Sequence, residues 1–217
     1  MTHKNDSLLD AAKKTATALG LGWSDLQQVY RSLQQEDADG TGWLPKSVGR
    51  KIWTAKPSFV AKLVTGYGFN SSAFTPHEGL YLLHGLTRNG GSMPIEDWPS
   101  AGVKPPAEKR LAQIVSDPDE AAKIAELRFD AGAKSITIKY VDGSEEVFAP
   151  MSDDPWDADD VVHRRRIIDV LRKETGPLST VLRIQGSAIA EIAESVVWDF
   201  SGSPMRAGEV SEEDTDE

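Results

Sequence analysis

With 217 residues, 39% of them hydrophobic and none of them cysteine, the chain can hold one ordinary domain or two small ones, and disulfides, thiolate catalysis and cysteine-ligated zinc are excluded. A formal charge of −10 argues, when averaged, against a nucleic-acid binder, but the charge is unevenly spread. Residues 1–100 carry 10 Lys/Arg against 9 Asp/Glu and residues 101–217 carry 14 against 25, while the stretch 41–76 holds Lys46, Arg50, Lys51, Lys56 and Lys62 with no acidic residue. The first residues lack the apolar run of a signal peptide, and no stretch reaches about 20 consecutive apolar residues. The expectation is therefore a cytoplasmic protein without membrane contact.

In chain order, a first helix is expected from Ser7 to Leu19, burying Leu8, Leu9, Ala12, Ala16 and Leu19, and Gly20-Leu21-Gly22 breaks it. Ser24 then reads as the cap of a second helix, with Gln27 completing a capping box and Leu26, Val29, Tyr30 and Leu33 forming one apolar stripe. Glu36–Gly42 is a turn and Pro57–Gly66 a short helix. The best-marked helix is Thr75–Leu86, with Thr75 as cap, Pro76 in the first turn and Glu78 at the capping-box position. Its body is nearly all apolar, which places it in the middle of the fold.

Ser92–Pro106, rich in Pro, Ser and Gly, reads as a linker, and Asp117-Pro118-Asp119-Glu120 opens a capped helix. Alternation then takes over: Leu127 and Phe129, followed by Ile136, Ile138 and Tyr140, mark two strands. Asp142-Gly143 reads as a two-residue type I′ hairpin turn leading to a returning strand with Val147 and Phe148. Asp160–Lys173 fits helix or strand and is read as helix; Val181–Ile184 adds a strand before a helix over Ser187–Val197. The tail after Gly202 has the composition of a disordered segment.

The chemistry-bearing pattern is Asp10–Leu33. A helix-turn-helix needs a small residue at the helix crossing, a residue tolerating positive φ four positions later, and buried apolar positions in the second helix. Ala16, Gly20, Leu26 and Val29 meet that spacing. The second helix would present Ser24, Asp25, Gln27, Gln28 and Arg31 outward, with Gln suited to adenine and Arg to guanine or phosphate. Two packed helices with a glycine turn would look the same; the acid-free basic stretch that follows tilts the reading toward DNA, because phosphate neutralisation supplies most non-specific affinity. Asp37, Asp39, Gly42 and Leu44 match the opening of a calcium loop, but position 12 is Val48 where a bidentate Glu is needed, so a solvated turn is the better reading. His77 and His84 are seven apart and make no metal motif, His163 begins a basic spot with Arg164–Arg166, and the tryptophans read as anchors. No phosphate loop, nucleophile elbow or dinucleotide fingerprint occurs, so neither an enzyme nor a cofactor or metal is expected.

Gly42-Trp43-Leu44-Pro45-Lys46, Gly49-Arg50 and Thr75-Pro76-His77-Glu78 leading into Leu80–Leu86, together with Leu182–Val196, resemble uncharacterised proteins of bacteriophages and prophages that carry an N-terminal helix-turn-helix. The chain departs from that pattern by an acidic insertion before Trp43 and by Gly79 where alanine stands. The resemblance implies a phage-type regulator or DNA-handling protein and no defined activity.

The expected architecture is α+β: a helical helix-turn-helix domain (1–96), a linker (97–106), a smaller acidic α+β domain with a β-hairpin (107–202) and a disordered acidic tail (203–217). The expected function is duplex-DNA binding as a transcriptional regulator, with Ser24, Gln27, Gln28 and Arg31 reading the site and Lys46, Arg50, Lys51 and Lys56 clamping phosphates. A homodimer and a host or phage protein held by the acidic half are the other expected partners. The alternative is a non-enzymatic interaction or structural phage protein, or an acidic antagonist of a host factor, that never touches DNA.

Overall fold

The computed structural model describes residues 5–37, 40, 42–47, 52–70, 73–92, 105–152, 162–175 and 180–201. They form a mixed α+β fold in the order α1 (Leu8–Ala18), α2 (Trp23–Gln34), α3 (Pro57–Phe69), α4 (Pro76–Gly85), β1 (Leu86–Arg88), α5 (Pro106–Ser116), α6 (Pro118–Ala121), β2 (Ile124–Asp130), β3 (Ser135–Tyr140), β4 (Glu145–Pro150), α7 (Val162–Arg172), β5 (Val181–Gln185) and α8 (Gly186–Ser195). The strands make one antiparallel sheet of order β1-β4-β3-β2-β5.

Period-two alternation sends Leu127 and Phe129 of β2, Ile136 and Ile138 of β3, Phe148 of β4 and Ile184 of β5 to one face, where all are buried. Helices cover that face: Phe129 stacks edge-on against Phe69 of α3, 5.4 Å between ring centres, and a Cβ on Gly68 would come within 2.5 Å of the Phe129 ring. α4 runs through the middle with every residue from Gly79 to Gly85 buried, as its composition predicts. Its start carries the expected capping box: Thr75 N–H donates to Glu78 Oε2 (2.9 Å) and Glu78 N–H donates to Thr75 Oγ1 (3.3 Å).

Residues on both sides of the expected linker build one contiguous core. β1, from the helical side, pairs with β4; α3 packs on α5, and α1 on α8. The expected linker residues 97–104 and tail residues 203–217 lie outside the described ones.

A short seam joins three distant stretches of chain. Asp6 N–H donates to the Val197 carbonyl (2.9 Å), Ala55 N–H to the Asp6 carbonyl (2.9 Å), and Asp199 N–H to the Ala55 carbonyl (2.8 Å). Side chains reinforce it: Asp6 Oδ2 accepts from Lys14 Nζ (2.6 Å) and from Val197 N–H (2.8 Å), and Thr54 Oγ1 donates to Asp199.

Four local expectations change. Leu9 is 41% exposed, because α1 buries the Leu8, Ala11, Ala12, Thr15 and Ala16 row instead. α2 begins at Trp23 with Gly22 as its cap, so Ser24 already lies in the first turn and no capping box forms. The β3–β4 turn is a three-residue loop: Tyr140 and Ser144 exchange a backbone bond (2.9 Å), Gly143 N–H returns to the Tyr140 carbonyl (3.0 Å), and only Gly143 has positive φ (+88°). That is the glycine-bulge hairpin, which also accepts Asp-Gly. Finally, residues 106–116 form a full helix, where the expected linker ends at Pro106 and no element is expected before Asp117.

Candidate nucleic-acid interface

The turn between α1 and α2 is built by backbone chemistry. Leu21 N–H donates to the Ala16 carbonyl and Gly20 N–H to the Thr17 carbonyl, both 2.9 Å, and Gly20 sits at φ +68°. This is the paired cap that ends a helix through a left-handed residue, and glycine adopts that conformation without a Cβ penalty. Ala16 is buried at the crossing, as the helix-turn-helix spacing requires.

α2 then divides cleanly by face. Leu26, Val29, Tyr30 and Leu33 are buried, while Ser24, Asp25, Gln28 and Arg31 are exposed. Gln27 is half-buried and occupied: with its amide oxygen turned inward it accepts from Arg31 Nη2 and Trp23 Nε1, each at 3.2 Å. It therefore orients Arg31 instead of offering a free amide to a base. At the start of α2, Asp25 Oδ2 and Ser24 Oγ curl toward the uncapped Gly22, 3.4 and 3.5 Å from where a Cβ would sit. A carboxylate there favours the helix dipole and repels a phosphate. It also reaches Tyr67 of α3, whose hydroxyl pKa is raised by burial and then by Asp25.

The far end of α2 is the cationic one. Trp43 and Leu44 N–H groups both donate to the Leu33 carbonyl (3.0 and 2.9 Å), and Gln34 Nε2 donates to the Pro45 carbonyl (2.9 Å). These bonds seat the 42–47 segment on the last turn of α2 and leave Lys46 exposed beside it. Trp53 Nε1 holds the Lys46 carbonyl at 3.0 Å.

Beneath that segment lies a buried polar cluster. Trp43 packs edge-on against Tyr81 and His84, 5.1 and 4.9 Å between ring centres, with Lys62 Nζ 5.7 Å from its ring. Tyr81 donates its hydroxyl to Asp37 Oδ2 (2.6 Å), which ties down the end of the acidic turn. His84 Nε2 lies 3.2 Å from Glu108 Oε2, and Lys62 Nζ lies 3.8 Å from Glu108 Oε1. Burial pushes the His84 pKa below the ordinary imidazole value, against the pull of Glu108. Glu108 was missed from the sequence because residues 106–116 were not read as a helix. Pro106 in its first turn and Leu111, Ile114 and Val115 on one face were the available signal.

Of the eight expected contact residues, the structure gathers Ser24, Gln28 and Arg31 on one exposed face, with Gln27 behind them and Lys46 at the cationic end. Lys56 is drawn elsewhere: its Nζ donates to the Ser201 carbonyl (2.8 Å), close to Asp199. It is a strut of the seam and no free clamp. Arg50 and Lys51 lie outside the described residues, as do Asp39 and Val48 of the calcium-loop reading. Among the described residues no group of three His, Asp or Glu side chains is placed to hold a metal ion, and no helix is long and apolar enough to cross a membrane.

Compared with known proteins, the chain matches no family model, no curated protein and no solved structure.

Proposed function

We propose that this chain binds duplex DNA through the α1–turn–α2 unit and acts in the cytoplasm as a regulator of the phage type that its sequence resembles. The observation that carries the reading is the face division of α2. A glycine-capped turn leads directly into a helix with one side sunk in the core and the other presenting Ser24, Gln28 and Arg31 to solvent. On this reading α2 meets the major groove with its Arg31 end toward the backbone, where Lys46 adds a second phosphate contact, and Gln28 reads a base edge. Asp25 keeps the opposite end off the phosphates.

The test is fluorescence anisotropy of the full chain with random-sequence duplex at low and moderate salt. Affinity should fall steeply with salt, and Arg31→Glu and Lys46→Glu should each weaken it and reduce the salt slope by about one. Binding that is absent at low salt, or indifferent to both substitutions, overturns the reading.

A second reading rests on exposed apolar residues around the seam. Ile52 is 67% exposed, Phe200 50% and Val197 38%, and they flank the backbone bonds that join residues 6, 55, 197 and 199. A protein partner, or a second copy, would take such a surface in place of DNA.

A further inference from the structure

The sheet face turned away from the helices is polar, and its charges are not evenly matched. Arg128 of β2 stands directly opposite Arg183 of β5, and Thr137 of β3 stands opposite Arg128 on the other side. Directly opposed residues on an antiparallel pair carry their side chains on the same face and in contact range, where like charges destabilise. Arg128 Nη2 donates to Thr137 Oγ1 (3.2 Å), but its Nε is buried and has no hydrogen-bond partner. The neighbouring carboxylates are engaged elsewhere. Glu126 lies 3.9 Å from Arg183 Nη1, Asp130 Oδ1 accepts from Ala133 N–H (2.8 Å), and Glu145 lies 3.4 Å from Lys139. Among the described residues, the Arg128 guanidinium has no carboxylate of its own.

We propose that Arg128, Arg183 and the Thr137 hydroxyl form a binding site for a phosphate-type oxyanion lying across β5, β2 and β3. The guanidinium forks match the paired oxygens of a tetrahedral anion, and one anion between them replaces the repulsion of two cations with two charge-assisted attractions. Thr137 accepts from Arg128 and keeps its own hydroxyl proton to donate. Arg183, whose side chain is 61% exposed, is the mobile wall: swinging it off Glu126 admits the anion from the β5 edge. Glu126 is thus the internal competitor for the site.

The full chain is unfolded thermally in inorganic phosphate, glycerol phosphate or chloride at equal ionic strength. Phosphate should raise the melting temperature along a saturating curve that is half-complete by about 10 mM, and chloride should not. A matching shift with glycerol phosphate assigns the site to phosphomonoesters, and its absence assigns it to the free anion. Arg183→Gln lies on an exposed edge strand and should weaken the phosphate response at least tenfold without lowering the melting temperature in chloride. Thr137→Val should weaken it less, and Glu126→Gln should strengthen it. Equal shifts in phosphate and chloride, or an undiminished phosphate response in Arg183→Gln, overturn the site.

Discussion

His84 on α4 and Glu108 on α5 meet at 3.2 Å inside the core, and Lys62 from α3 reaches the same carboxylate at 3.8 Å. Three helices are thereby joined through ionisable groups in a place where packing alone would serve. Such pairs hold a unique arrangement when complete and are costly when one member is removed.

The pH response follows from the burial of His84. Its folded pKa lies below the unfolded value of about 6.5, so the unfolded chain binds the extra proton first. Stability is therefore full above about pH 6.5 and is lost as pH falls below that value toward the folded pKa. Urea midpoints measured from pH 8 to pH 5 should decline over this window, and His84→Phe should flatten the decline. An unchanged slope in His84→Phe would place the proton elsewhere.

Glu108→Gln should be the most damaging single change in this cluster. It keeps the volume but leaves the Lys62 ammonium without its carboxylate partner and deprives His84 of the charge that raises its pKa. A loss of about 3 kcal/mol is expected by chemical denaturation, together with a steeper acid decline. Glu108→Gln together with Lys62→Met should recover part of that loss.

Two glycines separate backbone strain from steric overlap. Gly20 has φ +68° and open space around its missing Cβ, so Gly20→Ala should cost only about 1 kcal/mol and Gly20→Asn less. Gly68 has helical geometry, but a Cβ would meet the Phe129 ring at 2.5 Å. Gly68→Ala should cost about 2–3 kcal/mol, and Phe129→Leu should relieve it. Denaturant midpoints of the four single variants and of the Gly68→Ala, Phe129→Leu double variant test both statements.

Asp25→Asn tests the polarity of α2. Removing a carboxylate from the start of the helix should slightly lower stability, by about 0.5 kcal/mol, and raise DNA affinity severalfold at low salt. Because the Asp25 charge raises the Tyr67 pKa, that substitution should also move the phenol titration to lower pH in ultraviolet difference spectra. The spectral change reports the local effect even if DNA binding does not change.

Local features were legible in the sequence in proportion to how local their causes are. The Leu26–Leu33 stripe, the Thr75-Pro76-Glu78 cap and the Gly20 turn are set by residues within one or two helical turns of each other, and all three stand as read. The Asp142-Gly143 turn shows the limit: the same dipeptide serves two hairpin geometries, and the flanking register decides between them. The sites that differed are those made by distant chain. Lys56 reads as a free phosphate contact until Ser201, 145 residues later, takes its ammonium. Glu108 goes unread until α5 brings it to His84 and Lys62.

The seam has a consequence for synthesis. Ala55 is bonded on one side to Asp6 and on the other to Asp199, so the groove that seats the start of α1 is not complete until nearly two hundred residues have been made. The start of α1 therefore lacks part of its seam as it leaves the ribosome. Its first residues wait, partly unsealed, for a segment made nearly one hundred and fifty residues after Ala55, and until α8 and residues 197–199 emerge α1 has only α2 and α3 to pack on.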